Sequence, residues 1–210
     1  MPIDKKENED LFLSYLAAVL PAGHSAPKTL KEIGFFEAPA SHKYHHACEG
    51  GLVEHSLSVL HWFGRFLVTG ADAELKKPDY LIKISIISLL HDVCKSGCYK
   101  KEVARVKTEN DEWIETTSYK FVEDYPMGHG EKSLDIITNE LKIELSREER
   151  LAIRWHMGPY GLSYQDLQSY NLALKNSRLV FPLHTADMMS TLYERKNNDF
   201  LKKMLSAIPF

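Results

Sequence analysis

The sequence predicts an all-α fold, a bundle of helices interrupted by a small β-hairpin near residues 99–121. Apolar residues recur every three or four positions through most of the chain, which is the spacing of a helix with one buried face. Between Tyr99 and Phe121 this spacing gives way to alternating and β-branched residues. Hydrophobic residues make up 44% and charged residues 26% of the 210 residues, so a single globular core can serve the whole chain.

Three helices are predicted in the first half of the chain. Residues 10–20 carry apolar side chains at helical spacing until a proline and a glycine break the pattern. A second helix spans residues 51 to about 68 on one buried stripe. The third has Pro78 in its first turn and is apolar on nearly every side through residues 80–90. We therefore expect the third helix to lie at the centre of the bundle.

The predicted hairpin follows this central helix. A run that contains Val103 and Val106 is separated from a run that begins near Trp113 by Asn110-Asp111, a pair typical of turns. An isolated two-stranded hairpin is marginally stable in water. We expect the hairpin to pack against the helical body.

Three more helices are predicted after the hairpin. One follows residues 128–130, and the next starts at Ser146, which forms a capping box with Glu149, and continues to His156. The last runs from about Val180 to Lys196. Its predicted inward face carries Val180, His184, Asp187, Met188 and Thr191.

The sequence contains no internal repeat, low-complexity tract or Ser/Gly-rich linker that would mark a second large domain. We predict a helical extension over residues 1–40 packed on a main domain over residues 41–196. Residues 197–210 are predicted to form a helical tail.

Charge and hydropathy narrow the expected partners and location. The net charge of -3 gives no broad positive field, so long nucleic acid is disfavoured as a partner, although a local basic pocket is compatible with this charge. The longest apolar stretch, residues 81–90, contains Lys83 and is too short to span a bilayer. The first ten residues are too charged for a signal peptide. We expect a cytoplasmic protein without a membrane segment, and the sequence does not indicate its oligomeric state.

The three cysteines suit reduced thiols rather than a disulfide scaffold, because their number is odd and their spacing matches no disulfide framework. Cys94 and Cys98 are interpreted as buried thiols. The alternative is that they form a metal-binding pair.

Histidine and aspartate residues at inward-facing positions carry the chemistry. A single inward histidine is most often a hydrogen-bonded core residue, but several converge here with Asp92 and Asp187, which both lie on helices that look buried. A buried carboxylate is costly unless a cation or strong donors balance its charge. Imidazole nitrogens and carboxylate oxygens together suit Mn, Fe, Co, Ni or Zn. The sequence therefore predicts a divalent-metal site.

The order of these residues resembles that of a known group of enzymes. His55, the doublet His91-Asp92 and Asp187 match the H...HD...D order that defines the HD-domain superfamily of metal-dependent phosphohydrolases. The flanking segments 50–57 and 89–95 are similar to the first two motifs of bacterial HD proteins, and the resemblance covers roughly residues 41–196. It implies an HD-domain helical bundle with one or two divalent ions, which extends the candidate metals to Mg.

The resemblance also implies a ligand set. His129 and His156 lie between the doublet and the last aspartate, as in HD subfamilies that bind two ions. In that arrangement Asp92 bridges the ions: His55, His91, Asp92 and Asp187 hold the first, and Asp92, His129 and His156 hold the second. The alternative is that His129 and His156 bind phosphate or act as acids beside a single ion.

Lys95 is predicted to act with Asp92 in catalysis and to bind the phosphoryl group, because it follows the doublet closely and has a similarly placed counterpart in many HD proteins. The alternative is a solvated lysine at a helix end. The chain departs from the common HD-x-Gly-Lys form by carrying Cys94 in place of glycine. This leaves open the local turn and the direction in which the Lys95 side chain points.

Four further residues are candidate substrate contacts. His45 and His46 lie in a segment that resembles the corresponding part of HD-family exoribonucleases. His184 shares a helix face with Asp187 and is either a donor that orients a ligand or water, or a packed histidine. Arg154 either helps to neutralise phosphate or is an exposed helical arginine.

The resemblance implies hydrolysis of a phosphomonoester or phosphodiester in a nucleotide-like substrate by a metal-activated hydroxide. The net negative charge of the chain favours a small nucleotide over an oligonucleotide as the substrate. The hairpin near Trp113 is expected to cover part of the pocket. Two alternatives share the ligand set: an HD-fold di-iron oxygenase and a non-catalytic nucleotide-sensing module.

Overall fold

The computed structural model describes residues 4–42, 46–70, 72–107, 111–123 and 125–193. Within these residues the chain is mostly helical with one small antiparallel sheet, as predicted. The helices are α1 (Lys5–Val19), α2 (Ala26–Glu32), α3 (Gly51–Thr69), α4 (Pro78–Leu90), α5 (His129–Asp135), α6 (Arg147–Trp155), α7 (Tyr164–Asn176) and α8 (Val180–Leu192). The strands are β1 (Tyr99–Lys107) and β2 (Trp113–Phe121).

Short polar side chains begin several of these helices by accepting hydrogen bonds from free backbone amides. The predicted capping box is present, since Ser146 accepts from the Glu149 amide and the Glu149 carboxylate accepts from the Ser146 amide. Helix α7 was not predicted, although Ser163 caps it by accepting from the Asp166 amide at 3.1 Å. Helix α2, which has a proline in its first turn, was also missed.

Helices α3 and α4 form the centre of the molecule, and one apolar core extends from α1 to α8. Helix α3 packs against α8, α4 and α1. The predicted extension over residues 1–40 contributes fully buried side chains to this same core, among them Phe12, Tyr15 and Phe35. No described helix combines the length and the apolar character needed to cross a bilayer.

The hairpin has the predicted position, with Tyr99 opposite Phe121 at its base and Lys107 opposite Trp113 near its tip. Tyr99 and Tyr119 at the base are partly buried, whereas Trp113 is 67% exposed. Tyr119 lies six positions after Trp113 along the strand, a distance of about 20 Å. The base of the hairpin, rather than the region of Trp113, therefore adjoins the helical body.

Helix α8 ends at Leu192, before the predicted end at Lys196. Tyr193 leaves the helical conformation, with φ -134° and ψ 125°. Its carbonyl accepts a hydrogen bond from Trp62 Nε1 at 3.2 Å, a tertiary contact that holds the chain in this extended conformation. Residues 194–210, which include the predicted end of this helix and the tail, lie outside the described residues.

The inward face of α8 differs in part from the predicted one. Val180 and His184 are buried and Asp187 is largely buried, as expected. Met188 is 41% exposed and Thr191 is also exposed, so their assignment to this face was wrong. Ser190, three residues after Asp187, is buried and contacts His55 on α3.

Helices α5 and α6 approach closely where Gly130 faces the backbone of α6. A Cβ atom on Gly130 would lie 2.6 Å from the Arg154 carbonyl oxygen and 2.8 Å from the Ile153 carbonyl oxygen. Rigid backbone on the opposing helix cannot give way as a flexible side chain can. This contact therefore requires glycine and fixes the separation of the two helices.

We expect Gly130→Ala to lower the free energy of unfolding by about 1–3 kcal/mol, because the added methyl group forces the two helices apart. Urea denaturation followed by circular dichroism measures this change. The same substitution in an unconstrained helix stabilises by up to about 1 kcal/mol, so the sign of the change separates the two cases. A stabilised variant would contradict the packing described here.

Candidate metal centre

All six predicted ligands meet at one place, although they come from five separate elements. The fold brings His55 from α3, the doublet from the end of α4, His129 from the start of α5, His156 from the end of α6 and Asp187 from α8. Helix-ending residues supply three of these side chains, since His91 and His156 directly follow α4 and α6 and Asp92 follows His91.

The first group of side chains consists of His55, His91, Asp92 and Asp187. His55 Nε2 lies 3.2 Å from His91 Nε2, 3.2 Å from Asp187 Oδ1 and 3.3 Å from Asp92 Oδ2. His91 Nε2 lies 3.6 Å from Asp92 Oδ2 and 3.9 Å from Asp187 Oδ1. Ligand atoms that surround one divalent ion at about 2.1 Å lie about 3.0–3.4 Å apart. The spacing of this group is therefore close to that of a ligand cage.

The second group uses the other oxygen of Asp92. Asp92 Oδ1 lies 2.6 Å from His129 Nε2 and 3.3 Å from His156 Nε2. The atoms of this group, and those of a further combination of His91, His156 and Asp187, lie within 4.8 Å of one another. The two groups are thus contiguous, and each of them could hold a metal ion.

In the rings of His91 and His156, the Nδ1 atom forms a hydrogen bond on the side away from the site. This bond determines that Nε2, which faces the site, carries a lone pair. His91 Nδ1 donates to the Ser88 carbonyl at 3.0 Å, and His156 Nδ1 donates to the Ile153 carbonyl at 2.7 Å. A neutral imidazole has one N–H, so Nε2 is left as an acceptor in both rings. His156 Nε2 is buried and forms no hydrogen bond within the described part of the chain.

A hydrogen bond also determines which nitrogen of His55 carries the proton in the neutral ring. The Ser190 hydroxyl donates to the Asp187 carbonyl at 2.7 Å, so its oxygen accepts from His55 Nδ1 at 3.0 Å. In the neutral ring, His55 Nε2 is then also an acceptor and faces the Nε2 acceptor of His91. Two lone pairs and two carboxylates in a largely buried space repel one another unless a cation lies between them.

Without an ion, the two carboxylates favour a proton on His55 more strongly than they would in water. Burial lowers the pKa of His55, but hydrogen bonds to the carboxylates of Asp187 and Asp92 outweigh burial and raise it. Burial lowers the pKa of His91 to about 3, which keeps this ring neutral. Burial would raise the pKa of Asp92, yet the charge of Lys95 holds it well below its usual value. A proton and a metal therefore compete for His55 Nε2.

Lys95 points into the site. Its Nζ lies 2.6 Å from Asp92 Oδ2, and its side chain is only 15% exposed, which contradicts the alternative of a solvated lysine. Cys94 does not disturb the turn, because it lies in a single 3-10 turn (Val93–Lys95) and the left-handed conformation falls on Gly97, with φ 72°. The substitution of cysteine for glycine is thus accommodated.

The remaining predicted substrate contacts occupy other places. His184 Nδ1 donates to the carbonyl of His156 at 2.7 Å, so it positions the backbone of a candidate ligand. Arg154 forms an ion pair with Glu131 at 2.6 Å. His46 lies in the turn before α3, where its carbonyl accepts from the Ala40 amide. His45 lies outside the described residues.

The two neighbouring cysteines are buried thiols. Burial raises the pKa of Cys94 to about 12, and Cys98 Sγ donates to the Cys94 carbonyl at 2.9 Å. Cys94 Sγ lies 3.3 Å from His129 Nδ1, where the sulfur can accept the ring N–H and leave Nε2 facing Asp92. Cys94 thus contacts the far side of a candidate ligand ring, as a buried thiol would.

Two further residues near the site were missed from the sequence. Ser190 could have been found, because it follows Asp187 by three positions and so shares its helix face. Tyr99 could not have been found in this way, since it belongs to the hairpin and shares no helix face with a candidate ligand. It is partly buried, and although burial raises the pKa of its hydroxyl, the charge of Lys95 acts to lower it, which indicates that the two groups are close.

Comparisons of the chain with protein-family models, curated proteins and solved structures gave no significant match.

We expect Ser190→Ala to weaken the binding of a divalent metal by about 10- to 100-fold, because the hydroxyl fixes both the ring of His55 and the backbone of Asp187. Calorimetric titration of the chelator-treated protein with Mn²⁺ or Zn²⁺ measures the affinity. Ser85→Ala is a matched control, since Ser85 is also fully buried but donates to a carbonyl of its own helix. Equal affinities of the two variants would contradict this role of Ser190.

Proposed function

We propose that this protein is a metal-dependent phosphohydrolase with an HD-domain fold, which cleaves a phosphomonoester or phosphodiester bond in a nucleotide-like substrate. The observation that carries the proposal is the burial of three inward-facing imidazole acceptors with two carboxylates at ligand spacing. The chain order of these residues, which resembles the HD pattern, supports the family assignment.

The charge of the site favours an anionic substrate. One divalent ion balances the two carboxylates of Asp92 and Asp187, and Lys95 then gives the site a net positive charge. A second ion increases this charge further. A phosphoryl group is an anion that lysine side chains and divalent ions commonly bind together in enzymes.

The side chains divide the expected work among them. Divalent ions bound here would supply a hydroxide near neutral pH and positive charge beside the phosphoryl oxygens. Asp92 faces both groups of histidines through its two oxygens, and Lys95 neutralises charge on the phosphoryl group. His129 is 34% exposed, whereas His55, His91 and His156 are fully buried, so substrate approaches from the side of His129.

The activity is tested by phosphate release from nucleoside monophosphates and from generic phosphoesters, with chelator-treated protein that is reloaded with Mn, Fe, Co, Ni, Zn or Mg. We expect turnover with at least one ion and none after chelation. Failure of every ion to give turnover, together with a mixed-valent di-iron signal in electron paramagnetic resonance, would favour the oxygenase. Tight nucleotide binding without any turnover would favour a sensing module.

Lys95→Ala and Lys95→Arg give the control for this assay. We expect Lys95→Ala to lower kcat/KM by about 100-fold or more, because it removes a charge that contacts the substrate, and to leave the metal content unchanged. The arginine variant should recover part of the activity. Loss of metal from Lys95→Ala would instead assign the lysine a structural role.

We expect His129→Gln to reduce the metal content from two ions to one per chain, because only the second group loses a ligand. Plasma mass spectrometry after dialysis against the metal measures the ion count. His129 is partly exposed, so the substitution should spare the fold. His55→Gln removes a ligand of the first group and serves as the comparison. One ion per chain in the unmodified protein would select the single-ion alternative.

A further inference from the structure

A cavity of about 320 Å³ opens between the base of the hairpin and the segments that precede α3. Tyr99, Lys101 and Tyr119 line it from the hairpin, and Pro39, Glu37 and Glu49 are among the residues that line it from the opposite side. These hairpin residues share one face of the sheet, because Lys101 is paired with Tyr119 and Tyr99 precedes Lys101 by two positions.

Two residues that line this cavity, Gly97 and Tyr99, follow the candidate metal centre closely along the chain. The 3-10 turn that ends at Lys95 continues within two residues to Gly97, which lines the cavity, and then to Tyr99. Tyr99 is partly buried and interacts electrostatically with both Lys95 and Asp92. A molecule with its phosphoryl group beside Lys95 that extends along this segment would reach Tyr99 and then the cavity.

The cavity differs from the metal centre in charge, because it is lined by two carboxylates, of Glu37 and Glu49, and by one lysine, Lys101. Glu37 is exposed, and its carboxylate forms no hydrogen bond or ion pair within the described residues, while Glu49 is paired with Lys5 and lies 3.9 Å from Lys101. Carboxylates repel phosphate but accept hydrogen bonds from N–H and O–H groups. Aromatic rings at the same place offer stacking surfaces for a flat heterocycle.

We infer that this cavity binds the nucleoside part of the substrate, with the base stacked on the tyrosines and its N–H groups directed at the free carboxylate. The inference rests on the proposed function, because it takes the phosphoryl group to lie at the metal centre. It names the bound group as a purine or pyrimidine nucleoside, in place of an alkyl or plain sugar phosphate.

The test measures the binding of adenosine and guanosine, which carry no phosphate, to the metal-loaded protein by calorimetry. Tyr119→Ala should weaken the binding of at least one of these nucleosides by about tenfold or more, since it removes a stacking ring. Tyr119→Phe, which keeps the ring, and Trp113→Ala, which removes an exposed ring near the tip of the same hairpin, should leave binding within twofold.

Kinetics provide a second measurement. Tyr119→Ala should raise KM for a nucleoside monophosphate by a similar factor, with kcat little changed, and should leave both constants for ribose 5-phosphate unchanged. The inference alone fails if phosphate is released but neither nucleoside binds, or if Tyr119→Ala and Trp113→Ala behave alike. If nucleosides bind through Tyr119 but no phosphoester is cleaved with any ion, the proposed function fails. The cavity then binds a nucleoside, but not as part of a substrate, so the inference fails as well.

Discussion

The arrangement of the helices depends on one electrostatic constraint: buried acceptor atoms must share a positive charge. His55, His91 and His156, which are fully buried, direct acceptor nitrogens at the carboxylates of Asp92 and Asp187. Each buried charge without a partner costs several kcal/mol. The charge of Lys95 meets part of this need at Asp92, and divalent ions held by these side chains would meet the rest.

Helix ends provide much of this geometry. The last carbonyls of a helix have no partner within the helix. At the end of α4 the ring of His91 donates to the Ser88 carbonyl, and at the end of α6 the ring of His156 donates to the Ile153 carbonyl. The same carbonyl groups carry the negative end of the helix dipole toward the site, which favours a bound cation. The same kind of hydrogen bond thus orients a histidine ring at the ends of both helices.

Much of the architecture could be predicted from the sequence, because helical spacing, the capping box at Ser146 and the alternation over residues 99–121 are local signals. The six candidate ligands were found from their order along the chain. The early end of α8 could not be predicted, since it depends on a hydrogen bond between Trp62 and Tyr193. The cavity beside Tyr99 depends likewise on contacts between distant segments.

The unequal burial of the two groups has a consequence for substrate access. The first group is closed, with His55 and His91 fully buried and Asp187 15% exposed, whereas the second opens to solvent through His129. Lys132, on the same helix as His129, forms a 2.7 Å ion pair with Glu123, which follows β2. This contact ties the end of the hairpin to the open side of the site. The base of the hairpin is therefore held beside the open side of the site, whereas Trp113 near its tip is 67% exposed.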